Sequence, residues 1–307
     1  MLTSTQVFQE LLASSVLKTA EVATLPILDT DEHAFAIQID PGKVLENWTV
    51  ARGLLDQTGR WPIVTTCWTQ EKGGLEHRLL EQNFFNRFEY ENVPGAGDVS
   101  PRALIAASQS VDAQQFVASL QVKNSEYESL DEVMEEAAYG FEENCGMPLD
   151  LSEFHTAQAE APHGTSVQHF YHWLLDKESQ QGCLPNPAIS RQDWFEPDNA
   201  VMLFLPTASS WEALAYLHWF GAYAGTEKYI ALGKTWQARF GAELVAHYGT
   251  ILQSIVERPP GDVATALDLA LEHDLVAPCT LALPGISVHH YATALVNDTR
   301  WFLHERP

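Results

Sequence analysis

The sequence predicts a mixed α/β fold, in which β-α-β-type units near the two ends of the chain contribute to one mixed β-sheet and a helical insertion lies between them. Two observations support this. Apolar segments with strand character occur near both ends, each beside a segment with helical periodicity. The middle contains five successive segments of helical character. At 307 residues, the chain is long enough for two domains or for one large domain with an insertion.

The first unit is expected in residues 1–72. After a leading amphipathic helix, His33–Asp40 alternates apolar and other residues, which is typical of a strand. Asp40 and Pro41 favour the start of a helix that ends at Gly59. A second strand is expected over 61–68.

Residues 73–195 are expected to form a mostly helical, acidic insertion or subdomain. The Ser100-Pro101 pair favours a helix start, and Gly, Pro and Asn breaks separate the helical segments. The acidic run from Asp131 to Glu143 is interpreted as a solvated helix face.

Residues 196–307 are expected to form a C-terminal α/β domain. An apolar strand comes first, and Ser209 with Glu212 predicts a capping box for a buried helix that continues through Trp219. A helix from about Thr226 should end at Gly241, and a hairpin should follow with its turn at 248–250. Two more helices and a short final strand over 300–305 complete the prediction.

Composition limits the classes of function. The hydrophobic fraction is 46%, and no segment approaches the roughly 20 apolar residues of a membrane-spanning helix. The net charge of −24 repels phosphate backbones, so no nucleic-acid partner is expected. A basic protein partner fits that charge, although an acidic surface also serves solubility alone. No phosphate loop or dinucleotide fingerprint occurs, and no cofactor is expected.

The cysteines and the N-terminus favour a cytoplasmic protein. No C-x-x-C pair occurs, so reduced thiols are the simplest expectation. The first 22 residues carry a single lysine, Lys18, and Glu10 interrupts their apolar stretch, which argues against a signal peptide. The four cysteines are Cys67, Cys145, Cys183 and Cys279.

The C-terminal region contains "TASSWEALAYLHWFGAY", "TWQARFGAELVAHYGTILQSIVERPP", "ALDLALEHDLVAPC" and "RWFLHE", and the first unit contains "TGRWPIV". On these segments the chain resembles the bacterial domain-of-unknown-function 4253 family, more loosely in the first unit. The resemblance covers about residues 200–307 well and 35–68 loosely. The apolar framework is kept better than the polar positions: the family's Cys-Pro-Asp is Cys279-Thr280-Leu281 here. The resemblance implies a fold and no reaction.

Histidines provide weak candidates for a metal site. His169 and His172 are three residues apart on an expected helix, so both imidazoles could face one way, and His163 lies nearby. A chance grouping among twelve histidines is the alternative, and no metal is expected. His289 and His290 are adjacent, which should place them on different helix faces and prevent joint action.

Cys279, with His273 or His290, could form an activated thiolate, although a buried apolar cysteine is the more common role. Glu243 and His247 share a strand face but are about 13 Å apart, too far for a direct hydrogen bond. A further set could line a ligand pocket, with core packing as the alternative for its tryptophans. The set is Trp211, Trp219, Trp236, Arg239, Glu243 and Trp301.

Two functional hypotheses follow. The first is a non-catalytic binding protein, of immunity or regulatory type, that masks a basic partner through its acidic helical segment. The second is a small hydrolase-like enzyme with a pocket near Cys279 and neighbouring His and Glu residues.

Overall fold

The computed structural model describes residues 1–18, 21–27, 30–67, 74–80, 100–125, 129–159, 167–184 and 186–306. The chain forms two compact units. The first, called here the sheet unit, consists of Met1–Ala113, Asp193–Glu257 and Arg300–Pro307, and the second, the helical unit, of Gln114–Gln192 and Arg258–Thr299. The three consecutive segments expected from the sequence have other boundaries, and that division stays a prediction.

The described part of the sheet unit forms one mixed sheet, as predicted, and this sheet has seven strands. Its spatial order is β1-β2-β4-β3-β5-β6-β7, and β3 and β5 are parallel whereas the other neighbouring strands are antiparallel. The strands are β1 (Ala23–Pro26), β2 (His33–Ile39), β3 (Trp61–Thr66), β4 (Ala200–Leu205), β5 (Ala242–His247), β6 (Ile251–Val256) and β7 (Arg300–His304).

The predicted β-α-β unit at the N-terminus is present, but its two strands are not neighbours. Strand β4 lies between β2 and β3 and pairs antiparallel with both, so that Met202 faces Ile37 on one side and Val64 on the other. Every residue of β3 and β4 is buried, in agreement with the apolar run at Ala200–Leu205. Segments from both ends of the chain therefore share one sheet.

Most predicted helix boundaries are confirmed. Gly59 and Gly241 both adopt the left-handed conformation at φ 65° and end their helices, as expected where L side chains are strained. Ser100 accepts a hydrogen bond from the Ala103 amide. The helices of the sheet unit are α1 (Thr5–Ala13), α2 (Val44–Gly53), α3 (Leu55–Thr58), α4 (Leu75–Leu80), α5 (Pro101–Ser108) and, later in the chain, α11 (Thr226–Phe240).

The prediction of a helix from Ser209 through Trp219 is wrong. The structure has only a 3₁₀ turn at Trp211–Ala215, and no side chain caps it. Glu212 is engaged elsewhere, because its two oxygens accept hydrogen bonds from the Thr207 hydroxyl at 2.6 Å and the Lys234 ammonium at 2.7 Å. These tertiary partners replace the local capping box.

The helical unit has an aromatic core of its own, formed around Phe141, Phe154 and Phe170. Helix α7 begins with a capping box between Ser129 and Glu132. None of the described helices is both long and apolar enough to span a membrane. The helices are α6 (Ala113–Ser125), α7 (Leu130–Cys145), α8 (Leu151–Ala159), α9 (Val167–Gln181), α10 (Pro187–Ser190), α12 (Val263–Val276), α13 (Cys279–Ala282) and α14 (Val288–Leu295).

A disulfide links Cys145, the last residue of α7, to Cys183, which follows α9. The expectation that all four cysteines are reduced is therefore wrong. No local pattern indicated this bridge, because the two cysteines are 38 residues apart and only the packing of α7 beside α9 brings them together. Cys67 and Cys279 are not part of a disulfide.

Candidate functional site in the helical unit

Two adjacent histidines meet one buried carboxylate. Glu178 on α9 is completely buried, and its Oε1 lies 3.4 Å from Nε2 of His289 and 3.3 Å from Nε2 of His290. The two imidazole centroids are 4.1 Å apart. The expectation that these neighbours act separately is wrong, because side chains about 100° apart on a helix can still tilt toward one acceptor.

The surroundings fix this three-residue group, which we call the Glu178 cluster. The Tyr171 ring stacks on His289 with centroids 5.5 Å apart. Nδ2 of the exposed Asn144 lies 3.3 Å from Nε2 of His290, whose side chain is 18% exposed. The cluster is therefore closed on the Glu178 side and open to solvent beside Asn144.

The electrostatics favour an ionised carboxylate. Burial by itself would raise the pKa of Glu178, but hydrogen bonds from His289 and His290 outweigh it and bring the pKa to about 2. Burial lowers the pKa of His289, against the opposing hydrogen bond to Glu178. Near neutral pH, Glu178 is thus an anion beside a neutral His289 imidazole.

Hydrogen bonds among the described residues leave the Glu178 cluster incompletely satisfied. Oε2 of Glu178 and Nδ1 of His289 are buried and accept no hydrogen bond from any described residue. One donor atom from each of the three residues lies within 4.8 Å of the others, a spacing that a metal ion could bridge. The arrangement can hold a proton network or a cation.

A cavity of about 620 Å³ opens in the same unit. Tyr171, which stacks on His289, and Val288, the residue before it, both line this cavity. Its polar wall includes Glu136 and Asp274, and the described residues that line it include no lysine or arginine. The apolar wall includes Leu130, Val133, Val167, Leu271, Leu275 and Ile286.

The outer face of α7 is acidic, as the sequence predicted for this run. Tyr139 lies on this face and is 67% exposed. Glu136 belongs both to this face and to the cavity wall, so the two surfaces are continuous. The exposed acids of the face are Asp131, Glu132, Glu135, Glu136, Glu142 and Glu143.

Comparison with protein families gives one match. Residues 201–304 match the family "Domain of unknown function (DUF4253)". The match confirms the resemblance predicted for the C-terminal region. Comparison with curated proteins found no match, and comparison with solved structures found none either.

The DUF4253 match divides the Glu178 cluster. His289 and His290 lie inside the matched residues, whereas Glu178, Tyr171 and Asn144 lie outside them. Sequence reasoning missed the last three, since a glutamate, a tyrosine and an asparagine in helical segments carry no local signal until a partner is known. The carboxylate thus comes from outside the matched residues.

The histidines proposed for a metal site have other neighbours. His163 lies outside the described residues. His169 packs edge-on against Phe154 with centroids 5.8 Å apart, and Nε2 of His172 lies 3.3 Å from Asp268 Oδ1. These contacts direct His169 and His172 to different partners.

The thiolate pair of Cys279 with His273 or His290 stays a prediction, and both histidines have other contacts. Cys279 is half-buried at the start of α13. Nδ1 of the buried His273 lies 3.1 Å from the Tyr291 hydroxyl, and His290 contacts Glu178. Both imidazoles are thus engaged by groups other than the Cys279 thiol.

The remaining binding candidates have structural contacts in the sheet unit. The four tryptophans are each at most 3% exposed, and Trp236 contacts both Trp211 and Trp301 edge-on. Arg239 is exposed, and its guanidinium lies over the Phe240 ring. Glu243 forms an ion pair with Arg52 at 2.7 Å. The fourth tryptophan is Trp219.

Proposed function

We propose that this chain is a non-catalytic binding protein whose helical unit takes up a basic, amphipathic segment of a partner protein. The observation that supports the proposal is the continuity between the cavity, which has one apolar and one polar wall, and the acidic face of α7, through Glu136. An amphipathic basic segment matches both surfaces at once. Such binding would mask the basic surface of the partner, as in an immunity-type or regulatory protein.

The shape and chemistry of the cavity favour an apolar anchor. A volume of about 620 Å³ accommodates two or three large side chains, and walls of leucine, valine and isoleucine stabilise them by excluding water. Val122, which lines the cavity, is 64% exposed, so apolar surface continues from the cavity to the outside. Exposed apolar surface beside a pocket is typical of interaction sites.

The charge of the α7 face is complementary to that of a basic partner. Helix α7 contains no lysine or arginine, and its exposed acids follow one another at helical spacing. Carboxylates so arranged repel one another, and a cationic partner relieves that repulsion. The attraction should weaken with salt, because exposed charges are screened at high ionic strength.

Fluorescence anisotropy of the full chain with a labelled lysine-leucine amphipathic peptide of about 18 residues, five helical turns, tests the proposal. We expect saturable binding that weakens at least tenfold for a peptide of the same composition in scrambled order, since only the ordered peptide has an apolar face. Ala282→Trp should weaken binding similarly by filling the cavity, which Ala282 lines.

Two variants that remove the same number of charges distinguish an effect of the α7 face from an effect of net charge alone. Glu135→Gln with Glu136→Gln should weaken binding of the ordered peptide, whereas Glu10→Gln with Glu46→Gln, exposed in the sheet unit, should leave it unchanged. Equal effects of the two pairs, or equal affinity for ordered and scrambled peptides, would refute the proposal.

A cytoplasmic location is also a proposal. One of its two supports, the expectation of reduced cysteines, is removed by the Cys145–Cys183 disulfide, since disulfides persist mainly in oxidising compartments. The proposed binding function does not depend on a cytoplasmic location.

Hydrolysis is a second candidate function, favoured by the 3.3 Å contact between a carboxylate and an imidazole in the Glu178 cluster. The test is turnover of p-nitrophenyl acetate by the native chain and by Glu178→Gln. Hydrolysis that Glu178→Gln abolishes would support this candidate, and equal rates would eliminate it.

A further inference from the structure

We propose that Glu178, His289 and His290 form a binding site for a divalent transition metal ion of the zinc class. Two imidazole nitrogens and one carboxylate oxygen make a donor set that zinc accepts readily in proteins. This proposal is independent of the proposed binding function, because it concerns other residues and another ligand.

The donor spacing suits the ion. Ligands about 2.0–2.2 Å from a tetrahedral zinc ion lie about 3.3–3.6 Å from one another. The Oε1 atom of Glu178 is 3.4 Å from Nε2 of His289 and 3.3 Å from Nε2 of His290. All three donor atoms lie within 4.8 Å of one another, so one ion can be placed among them.

The buried negative charge of Glu178 favours a bound cation. Glu178 is completely buried, and its partners among the described residues are two histidines and no lysine or arginine. A cation bound beside Glu178 would add a full positive charge to the hydrogen bonds that already keep this buried carboxylate ionised. Oε2 of Glu178, which has no hydrogen-bond partner among the described residues, provides a further donor for the same ion.

The residues around the cluster would hold the ligands in place. Tyr171 stacks on His289 and restrains its ring. The disulfide links Cys145, next to Asn144, to Cys183, whose amide donates to the backbone oxygen of Glu178 at 3.0 Å. The chain segments on both sides of the cluster are therefore fixed to each other.

The exposed side of the cluster provides entry and an open coordination position. Asn144 is exposed and lies beside Nε2 of His290, and a half-turn of its amide would present an oxygen in place of the nitrogen. Three protein donors leave a fourth position for this oxygen or for water.

Calorimetric titration of the untagged, chelator-treated full chain with Zn²⁺ tests the proposal, together with absorption spectroscopy after addition of Co²⁺. We expect one Zn²⁺ per chain and cobalt bands of a tetrahedral nitrogen-oxygen site. His290→Gln and Glu178→Gln should each weaken Zn²⁺ binding at least tenfold, since each removes one of three donors.

His172→Gln is the matched control, because His172 is also half-buried and also lies 3.3 Å from a carboxylate, that of Asp268. It should bind Zn²⁺ as the native chain does. Circular dichroism identifies variants that fail to fold. If Glu178→Gln unfolds, His290→Gln, at the more exposed ligand, decides the question. No Zn²⁺ binding by the native chain, or binding that a folded His290→Gln leaves unchanged, would overturn the proposal.

Discussion

Arg52 and Glu243, separated by 191 residues in the chain, form a two-point ion pair in the sheet unit. Nε of Arg52 donates to Oε2 at 3.0 Å, and its Nη2 donates to Oε1 at 2.7 Å. The guanidinium also lies over the Trp61 ring. The pair joins helix α2 to strand β5, which gives Glu243 a structural partner in place of the distant His247.

A double-mutant cycle on Arg52→Ala and Glu243→Ala should show a coupling energy of about 0.5–1.5 kcal/mol. The two-point geometry and partial burial favour a value above that of most surface pairs, whereas the exposure of Arg52 limits it through solvent screening. Urea unfolding of the four proteins measures it. Additive effects of the two substitutions would show that the pair contributes nothing to stability.

Gly241→Ala should lower the free energy of unfolding by about 1 kcal/mol or more. Gly241 has φ 65° at the end of α11, where an L side chain is strained. Gly140→Ala is the control: Gly140 lies inside α7, and a Cβ there meets no atom within 4 Å. The control should be neutral or stabilising, because alanine favours helix. An unchanged melting temperature of Gly241→Ala would contradict the strain argument.

His247 should make the sheet unit sensitive to acid. Burial, assisted by the charge of His218, lowers its pKa from 6.5 to about 3, and its Nδ1 already accepts a hydrogen bond from the Gly249 amide. The unfolded chain binds this proton more readily, so the stabilisation is complete above pH 6.5 and is lost as the pH falls toward 3. The expected loss is about 3 kcal/mol between pH 7 and pH 4.

Urea unfolding at pH 7 and pH 4 measures that loss. His247→Gln should lose less stability over this interval than the native chain, whatever its stability at pH 7. His155→Gln, at an exposed histidine, should follow the native chain. The same loss in His247→Gln as in the native chain would exclude His247 as its cause.

Removing the disulfide should destabilise the helical unit by about 3–4 kcal/mol, because the bridge closes a 38-residue loop and limits the unfolded chain. Cys145→Ser with Cys183→Ser, compared with Cys279→Ser, measures this by guanidinium unfolding. Thiol titration of the unreduced, denatured chain should find two thiols, those of Cys67 and Cys279. Four thiols would show that the bridge does not form.

The sequence predicted well those features of the fold that depend on residues adjacent in the chain. The glycine stop at Gly241, the cap at Ser100 and the hairpin turn after His247 were all predicted from adjacent residues. The order of the strands could not be predicted, because the strands that pair with β4 are about 130 to 170 residues away from it. The pattern of apolar and polar residues along a strand does not identify the strand with which it pairs.

The Glu178 cluster could be predicted only in part. His290 was a candidate as a partner of Cys279, but its carboxylate partner lies 112 residues away on another helix. Glutamates in helices are usually exposed, so nothing in the sequence around Glu178 indicates its complete burial. Convergence of this kind follows from tertiary packing alone.

The position of β4 between β2 and β3 has a consequence for protein synthesis. On the ribosome, β2 and β3 emerge well before the strand that joins them, and the sheet gains its last strand, β7, only with residues 300–304. The helical unit likewise requires its second segment, 258–299. No single truncation therefore isolates either unit, and we expect both to complete folding only after most of the chain has been translated.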